Sequence, residues 1–245
     1  MTESKFIDKK VELPAMMIER AEASHPGEGF ASEAAWLRCV KEDFRKFIPF
    51  LTRQCGLEFR GRILEIGAGA AWFSAELSKL PQAVEIIATD ASARLLKVQA
   101  PKVFKLLKAH EAKITRMPAD FGDLDFPKNH FDVVVCADAL HRAVNVRRVL
   151  REVRRVLKPG GIFVAIREPV RPLMKFRSDA KNVAAGKLTP PGYAVSEYRD
   201  FFAHAGLKLE LKRVVLSSGF KYYFDHAVNG LTHARYAFVA TKAGR

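Results

Sequence analysis

Cysteine is scarce in this chain. Cys39, Cys55 and Cys136 are the only three among 245 residues. They are widely spaced and form no C-x-x-C pair, so neither a zinc site nor any other metal site is expected, nor a disulfide framework. A reducing, cytoplasmic setting fits that usage. No apolar run approaches the roughly 18 residues of a membrane span. The opening MTESKFIDKKVEL carries no apolar core of a signal peptide. No Gly-Lys-Ser/Thr triplet is present, which excludes a Walker phosphate loop. No repeat with a period of about 20–50 residues is visible, which excludes a solenoid. Acid is in deficit, with 27 Asp and Glu against 41 Lys and Arg, a net charge of +14. Such a surplus implies weak, salt-sensitive, sequence-independent attraction to nucleic acid. Lysines scattered over solvated helix faces would produce the same number. Oligomeric state is not legible.

What is present suffices for one sizeable core: 49% of the residues are apolar. Residues 29–48 place Phe30, Ala34, Leu37, Val40, Phe44, Phe47 and Ile48 on one helical stripe. Pro49 should end or kink that helix. Strands and helices then alternate. Strands are predicted over 62–66, 84–89, 113–117, 131–136 and 162–166. Helices are predicted over 71–80, from the Ser92 cap to about 110 with a break at Pro101, and over 146–158, closed by Pro159-Gly160-Gly161. On the last of these Arg147, Arg148, Arg151, Arg154 and Arg155 are expected to face out as a solvated stripe. The run FDVVVC at 131–136 suits a parallel strand covered on both faces. Residues 169–192 hold four prolines and five basic residues against one acid, which reads as a long connection or lid. A helix over 196–205 and strands over 207–216 and 234–241 complete the chain. This order argues a doubly wound, Rossmann-like α/β sheet.

The ligand loop is the stretch ILEIGAGAAWF at 63–73. Gly67 and Gly69 remove side chains where backbone and ligand must approach. A dinucleotide loop needs a third glycine at position 72, where Trp72 stands, so NAD and FAD are disfavoured. Glu65 lies in the apolar end of the first strand, where a carboxylate favours a nearby cation. Asp90 ends the second strand, where an acid can accept hydrogen bonds from both ribose hydroxyls. The ligand wanted is a nucleoside with a cationic group and no phosphate. S-adenosylmethionine, with its ammonium, sulfonium and free ribose, fits.

These motifs resemble, in order, those of the class I S-adenosylmethionine-dependent methyltransferases, in particular the type 11 group that includes the ubiquinone/menaquinone methyltransferase-like proteins. LEIGAGAAWFS is similar to the E/D-x-G-x-G-x-G loop, with Ala71 in place of the third glycine. IIATDAS resembles the second motif, ADFGDLDFPKNHFDVVVCADALH the third, and REVRRVLKPGGIFVAIRE the R-x-V-L-K-P-G-G signature. The resemblance spans about residues 58–168. It implies a seven-stranded sheet, mostly parallel, with the last strand antiparallel, N-terminal helices and a lid insertion after strand five. In domain terms it implies an N-terminal helical cap over 1–57 and a methyltransferase domain over 58–245, with 169–205 as the acceptor segment. It implies S-adenosylmethionine as cofactor, held by Glu65, Gly67, Ala68, Gly69, Asp90, Ala91, Asp120, Phe121 and Ala137. Asp132 belongs to the fold signature.

Methyl transfer asks the protein to position a nucleophile and, for many acceptors, to remove a proton. His141 and Glu168, at the ends of strands four and five, are the first two candidate bases, and Asp138 is the third. Tyr222, Tyr223 and His226 are candidate lining residues for the acceptor. The N/D-P-P-Y/F motif of amino-methylating DNA and protein enzymes is replaced by Ala137-Asp138-Ala139-Leu140, and the Pro-Cys pair of cytosine-C5 enzymes is missing. A small-molecule acceptor is therefore favoured, and the basic segment 169–193 favours an anionic one. Two other readings stay open: an RNA methyltransferase, and a non-catalytic protein that binds S-adenosylmethionine.

Overall fold

The computed structural model describes residues 3–9, 11, 32–42, 44–171, 192–216 and 236–244. The expected lid core and Tyr222, Tyr223 and His226 lie outside the described residues. Eight strands form one sheet: β1 Lys5–Phe6, β2 Gly61–Ile66, β3 Ala83–Asp90, β4 Ile114–Pro118, β5 Phe131–Ala137, β6 Leu157–Ile166, β7 Leu207–Arg213 and β8 Tyr236–Lys242. Their order is β1-β4-β3-β2-β5-β6-β8-β7. The first six are parallel, and β8 runs antiparallel to both β6 and β7. The chain winds outward from β2 to β4, then restarts at β5 on the other side of β2. The β2–β5 border is therefore the switch point, where ligands bind outside the carboxyl ends of the strands. The antiparallel last strand agrees with expectation. The eighth strand, β1, was not expected; two residues are too short to show a period.

Helices α1 Glu33–Glu42, α2 Trp72–Leu77, α3 Ala100–Leu107, α4 Val146–Val156 and α5 Val195–His204 connect or cover the strands. Burial on both faces explains the unbroken apolar run of β5, where Val133, Val134, Val135 and Cys136 are all buried. One apolar cluster joins Trp36, Val40 and Phe44–Leu51 to β2, α2 and α3, and a second lies between α4, α5 and the opposite sheet face. The N-terminal helices thus share a core with the sheet. On α4, Val149, Leu150, Val153 and Val156 face inward, each contributing roughly 1.5–3 kcal/mol by burial. Asn145 starts α4, its Oδ1 accepting the Arg148 N–H at 3.0 Å.

Three boundaries differ from expectation. The helix expected over 29–48 is divided: α1 stops at Glu42, a 3₁₀ turn follows at Phe44–Lys46, and at Pro49 a short α turn, Phe47–Pro49, changes into a π-helical segment at Phe50–Gln54. Pro101 does not break its helix. A π-helical segment, Leu95–Gln99, precedes it and leaves Pro101 in the first turn of α3, where its missing N–H orphans no partner. Pro159-Gly160-Gly161 lies inside β6, not between helix and strand. Phe131 pairs with Leu157 and Val133 with Ile162, so the three residues form an irregularity in the ladder. Among the described residues no helix is long and apolar enough to cross a membrane.

Candidate active site

The carboxyl end of β2 turns into the glycine loop. Gly67 has φ +61°, and a side chain there would come within 2.6 Å of the Ala139 Cβ, so only glycine fits against the β5 side of the switch point. Gly69 is also left-handed, but nothing lies within 4 Å of where its side chain would point. Ala68 donates to the Thr89 carbonyl at 2.9 Å, which ties the loop to β3. Ala71 stands where the resemblance has a third glycine and adopts φ 55° and ψ 35°. That conformation strains an L-residue by roughly 1–2 kcal/mol. Trp72 turns inward, its ring 4.9 Å from Phe44 and 5.2 Å from Phe73. It fills the space beneath the loop and joins it to the N-terminal helical region.

Two buried acids flank this loop. Glu65 is 1% exposed. Its Oε2 accepts the backbone N–H of Ser74 at 2.8 Å and also the Ser74 hydroxyl. Burial pushes its carboxyl up to about 8, against the lowering effect of the Ser74 hydrogen bonds and with a raising contribution from Asp90. Asp90 is 7% exposed. Its Oδ2 accepts the Gly69 N–H at 2.8 Å and its Oδ1 the Ser92 N–H at 2.8 Å. Burial raises this carboxyl too, opposed by those two N–H groups and by Arg142. An ionised carboxylate offers about four lone-pair sites, so two remain on Asp90. Ala91 is half-buried beside it. Ser92 also serves as the expected cap, accepting the Leu95 N–H at 3.2 Å.

Asp120 and Phe121 follow β4. The Ala119 N–H bonds to the Asp90 carbonyl at 3.0 Å, so the ends of β3 and β4 are held together. Asp120 Oδ1 accepts the Gly122 N–H at 2.7 Å, closing a tight turn. Ala137 ends β5. Thus Gly67, Ala68, Gly69, Asp90, Ala91, Asp120, Phe121 and Ala137 all fall along the carboxyl edge of β2, β3, β4 and β5, with Glu65 one turn of chain beneath.

The two candidate bases are bonded to each other. Glu168 Oε2 lies 2.9 Å from His141 Nδ1 and accepts the His141 N–H at 3.0 Å. Oε1 accepts the N–H groups of Ala139 and Leu140 at 3.0 and 2.9 Å. Burial drives the Glu168 carboxyl up, but His141 and these backbone donors together outweigh burial and hold it below the usual value. Its side chain is 0% exposed. Glu168 is thus enclosed by the turn after β5, its oxygens engaged by the three backbone N–H groups, by His141 Nδ1 and by the Cys136 thiol at 3.7 Å. Asp138 is left-handed at φ 57° and bonded by Arg142, whose Nη2 lies 3.5 Å from its carboxylate. Burial raises the Asp138 carboxyl, opposed first by His141 and then by Arg142 and Arg167. Arg167, also left-handed, lies over the Phe44 ring at 3.9 Å.

Ser74, Arg142 and Arg167 escaped the sequence reading. Ser74 carries a weak signal, a hydroxyl in the first turn of α2 facing an acid on the strand before it. No sequence signal marks Arg167. Asp132 takes the place expected of it in the fold: it accepts the Arg62 N–H at 2.9 Å and both its oxygens lie 2.8 Å from Lys158 Nζ. The arginines of α4, expected to face out, are largely tied down. Arg148 bonds the Gly122 carbonyl at 2.6 Å, Arg155 bonds the carbonyls of Phe126 and Leu124 at 2.7 and 2.5 Å, and Arg147 lies over Phe201. Among the described residues no group of three or more His, Cys, Asp or Glu is placed to hold a metal ion.

Residues 64–165 match the family described as a methyltransferase domain. The chain is similar to the ubiquinone/menaquinone biosynthesis C-methyltransferase UbiE of Pseudomonas paraeruginosa, at 27% identity over 226 residues, covering 86% of this chain and 87% of that protein. In fold it resembles an S-adenosylmethionine-dependent methyltransferase from Mesorhizobium loti, with a TM-score of 0.59, 21% identity and coverage of 79% of this chain and 97% of that one. It also resembles a phosphoethanolamine N-methyltransferase of Haemonchus contortus, solved with phosphomonomethylethanolamine and S-adenosylhomocysteine. There the TM-score is 0.60 at 16% identity, covering 80% of this chain and 52% of that one.

Proposed function

We propose that the chain is a class I S-adenosylmethionine-dependent methyltransferase of the type 11 group and that it methylates a small molecule bearing an anionic group. One observation carries the cofactor's place: two buried acids, Glu65 and Asp90, stand on either side of an open glycine loop at the switch point of the sheet. The donor set fits the cofactor. Asp90 keeps two lone-pair sites for the ribose hydroxyls while its other two hold Gly69 and Ser92. Glu65 offers the nearest negative charge to a cationic group over Gly67, Ala68 and Gly69. Ala91 borders the ribose, Asp120 and Phe121 border the base, and Ala137 borders the methionine end.

When bound, S-adenosylmethionine supplies an electrophilic methyl carbon on a leaving group that departs as a neutral thioether. The protein therefore owes the leaving group no proton. Its own work is to orient the acceptor and take the acceptor's proton. We assign the proton to His141. Glu168 holds its Nδ1 and its backbone N–H, which leaves Nε2 as the acceptor nitrogen, with Glu168 a positioning residue. Arg142 and Arg167, beside Asp138 at the ends of β5 and β6, give the site its preference for an anion. The N-terminal cap, 1–57, and the segment 169–205 select the acceptor.

The test is calorimetry with S-adenosylhomocysteine and NAD, followed by methylation of a library of small carboxylates, phosphates and phenols. S-adenosylhomocysteine should bind and NAD should not, and turnover should concentrate on anionic acceptors. Cofactor-dependent methylation of tRNA or rRNA at physiological salt would overturn the small-molecule reading. Because most of the α4 arginines are already engaged, RNA binding should be weak and fall steeply with salt.

A further inference from the structure

The edge strand β1 is two residues long, too short to hold itself on a sheet. It is nevertheless bound by a dense set of side chains. Lys5 and Phe6 pair with Thr115 and Arg116 of β4, and the Ile7 N–H bonds the Arg116 carbonyl at 2.9 Å. The Arg116 guanidinium is buried; it donates to the Ser4 carbonyl at 3.1 Å and to the Leu96 carbonyl at 2.6 Å. Ser4 in turn donates its N–H and hydroxyl to Glu111 at 3.3 and 3.0 Å. The Phe6 ring lies under Lys97, and Lys97 pairs with Asp8 at 2.8 Å. This anchoring fixes a direction. Because β1 is parallel to β4, the chain leaving Ile7 heads to the carboxyl edge, where ligands bind.

At that edge lies a cavity of about 240 Å³. Lys9 and Val11 line it together with Asp120, Asp125 and Phe126 from the chain after β4. Lys9 is ion-paired with Asp125, which ties the wall to the loop after β4. The volume falls below the roughly 300–1,000 Å³ of a whole-ligand pocket, so it suits one ring system. Its position follows from the strand order. A nucleoside with its ribose on Asp90 and its methionine end over Gly67 and Ala137 has the β4 side left for its base. The open direction is across the end of β4, whose Ala119 is bonded to Asp90 and also lines the cavity.

We propose that residues 5–9 and Val11 form the outer wall of the base-binding end of the cofactor site, and that Lys9 and Val11 set which substituents on the adenine amino group are admitted. The wall comes from outside the matched methyltransferase region, 64–165. The inference rests on the reading of Asp90 and the glycine loop as the cofactor cradle.

The experiment is calorimetry of the full-length protein with S-adenosylhomocysteine and with its analogue carrying a benzyl group on the adenine amino nitrogen. Val11→Trp, which fills the cavity, should weaken S-adenosylhomocysteine binding by about tenfold or more with an unchanged melting temperature. Val11→Ala and Lys9→Ala should bind the benzyl analogue better relative to S-adenosylhomocysteine than wild type does. Ile7→Pro removes the N–H that docks the strand and should weaken S-adenosylhomocysteine binding. If wild type does not bind S-adenosylhomocysteine, the cofactor reading itself fails. If wild type binds and Val11→Trp binds equally well, the wall proposal alone is overturned. If Val11→Trp also melts early, the alanine variants decide: an unchanged preference between the two ligands overturns the proposal.

Discussion

Replacing Glu168 by Ala tests a buried charge at the site. The variant removes the carboxylate that accepts three backbone N–H groups, those of Ala139, Leu140 and His141, and the partner of His141 Nδ1. Each buried donor left unpaired costs about 1–3 kcal/mol, so three would bound the loss near roughly 9 kcal/mol with no relaxation. His141 is half-buried, so water can reach part of the turn, and disrupted buried charge networks generally cost about 3–5 kcal/mol. We expect about 3–5 kcal/mol, read at pH 7 as a lower urea midpoint at unchanged slope. The pH dependence has a fixed sign. The folded carboxyl is held below its ordinary 4.5, so its contribution is complete above that value and is lost as pH falls through the folded one. Wild type should therefore lose its advantage over Glu168→Gln on acidification below about pH 4.5. A loss under about 1 kcal/mol for Glu168→Ala, or an advantage that grows on acidification, would refute the account of Glu168 as the clamp of this turn.

Asp90→Ala should weaken S-adenosylhomocysteine binding by about 1–3 kcal/mol, measured by calorimetry, since buried hydroxyls would lose their acceptor; unchanged affinity would confine Asp90 to ordering Gly69 and Ser92. Glu65, raised to about 8 by burial, stabilises the ligand-free protein fully below its unfolded value, and that stability is lost as pH rises through about 8. Glu65→Gln should therefore flatten the stability decline from pH 5 to about 8, by at most about 5 kcal/mol, and S-adenosylmethionine binding near pH 7 should release a proton, seen as a binding enthalpy that varies with buffer ionisation. His141→Ala should lower turnover by about 10²–10⁴-fold with S-adenosylhomocysteine affinity nearly intact; equal loss of both would make His141 structural.

Most of the sheet was legible because burial on two faces writes itself as apolar runs of strand length, as in β3 and β5. The acids at strand ends were legible for the same reason: Glu65 and Asp90 interrupt or close such a run, and a carboxylate there needs a partner. What was not legible is short or compensated. β1 has two residues and is held by Arg116, a side chain on another strand. Pro101 and Pro49 read as breaks because propensity rules assume an α ladder, whereas π segments beside them absorb the missing donors. The α4 arginines read as a solvated stripe because spacing shows which face they occupy but not that carbonyls of the loop after β4 lie within their reach.

Part of the site was hidden for a further reason, its backbone conformation. Ala71, Asp138 and Arg167 all adopt positive φ without being glycine, each at a cost of order 1–3 kcal/mol. They stand at the ends of the loop after β2, of β5 and of β6, so three of the five described non-glycine residues with positive φ meet at one edge of the sheet. Sequence rules place glycine or asparagine at such positions, so Ala71 and Asp138 were singled out on other grounds and Arg167 was passed over. The structure holds two of them by specific bonds: Ala71 donates to the Ala68 carbonyl at 2.7 Å and Asp138 to the Ile166 carbonyl at 3.0 Å. Arg167 follows Ile166 directly, and its guanidinium lies on Phe44, which packs on Trp72. The strained turns are thus joined through β6 and an aromatic pair. A substitution that disturbs one should therefore move the others, because the glycine loop, the turn after β6 and the N-terminal helical region touch through Trp72, Phe44 and Arg167 although they come from three distant parts of the chain.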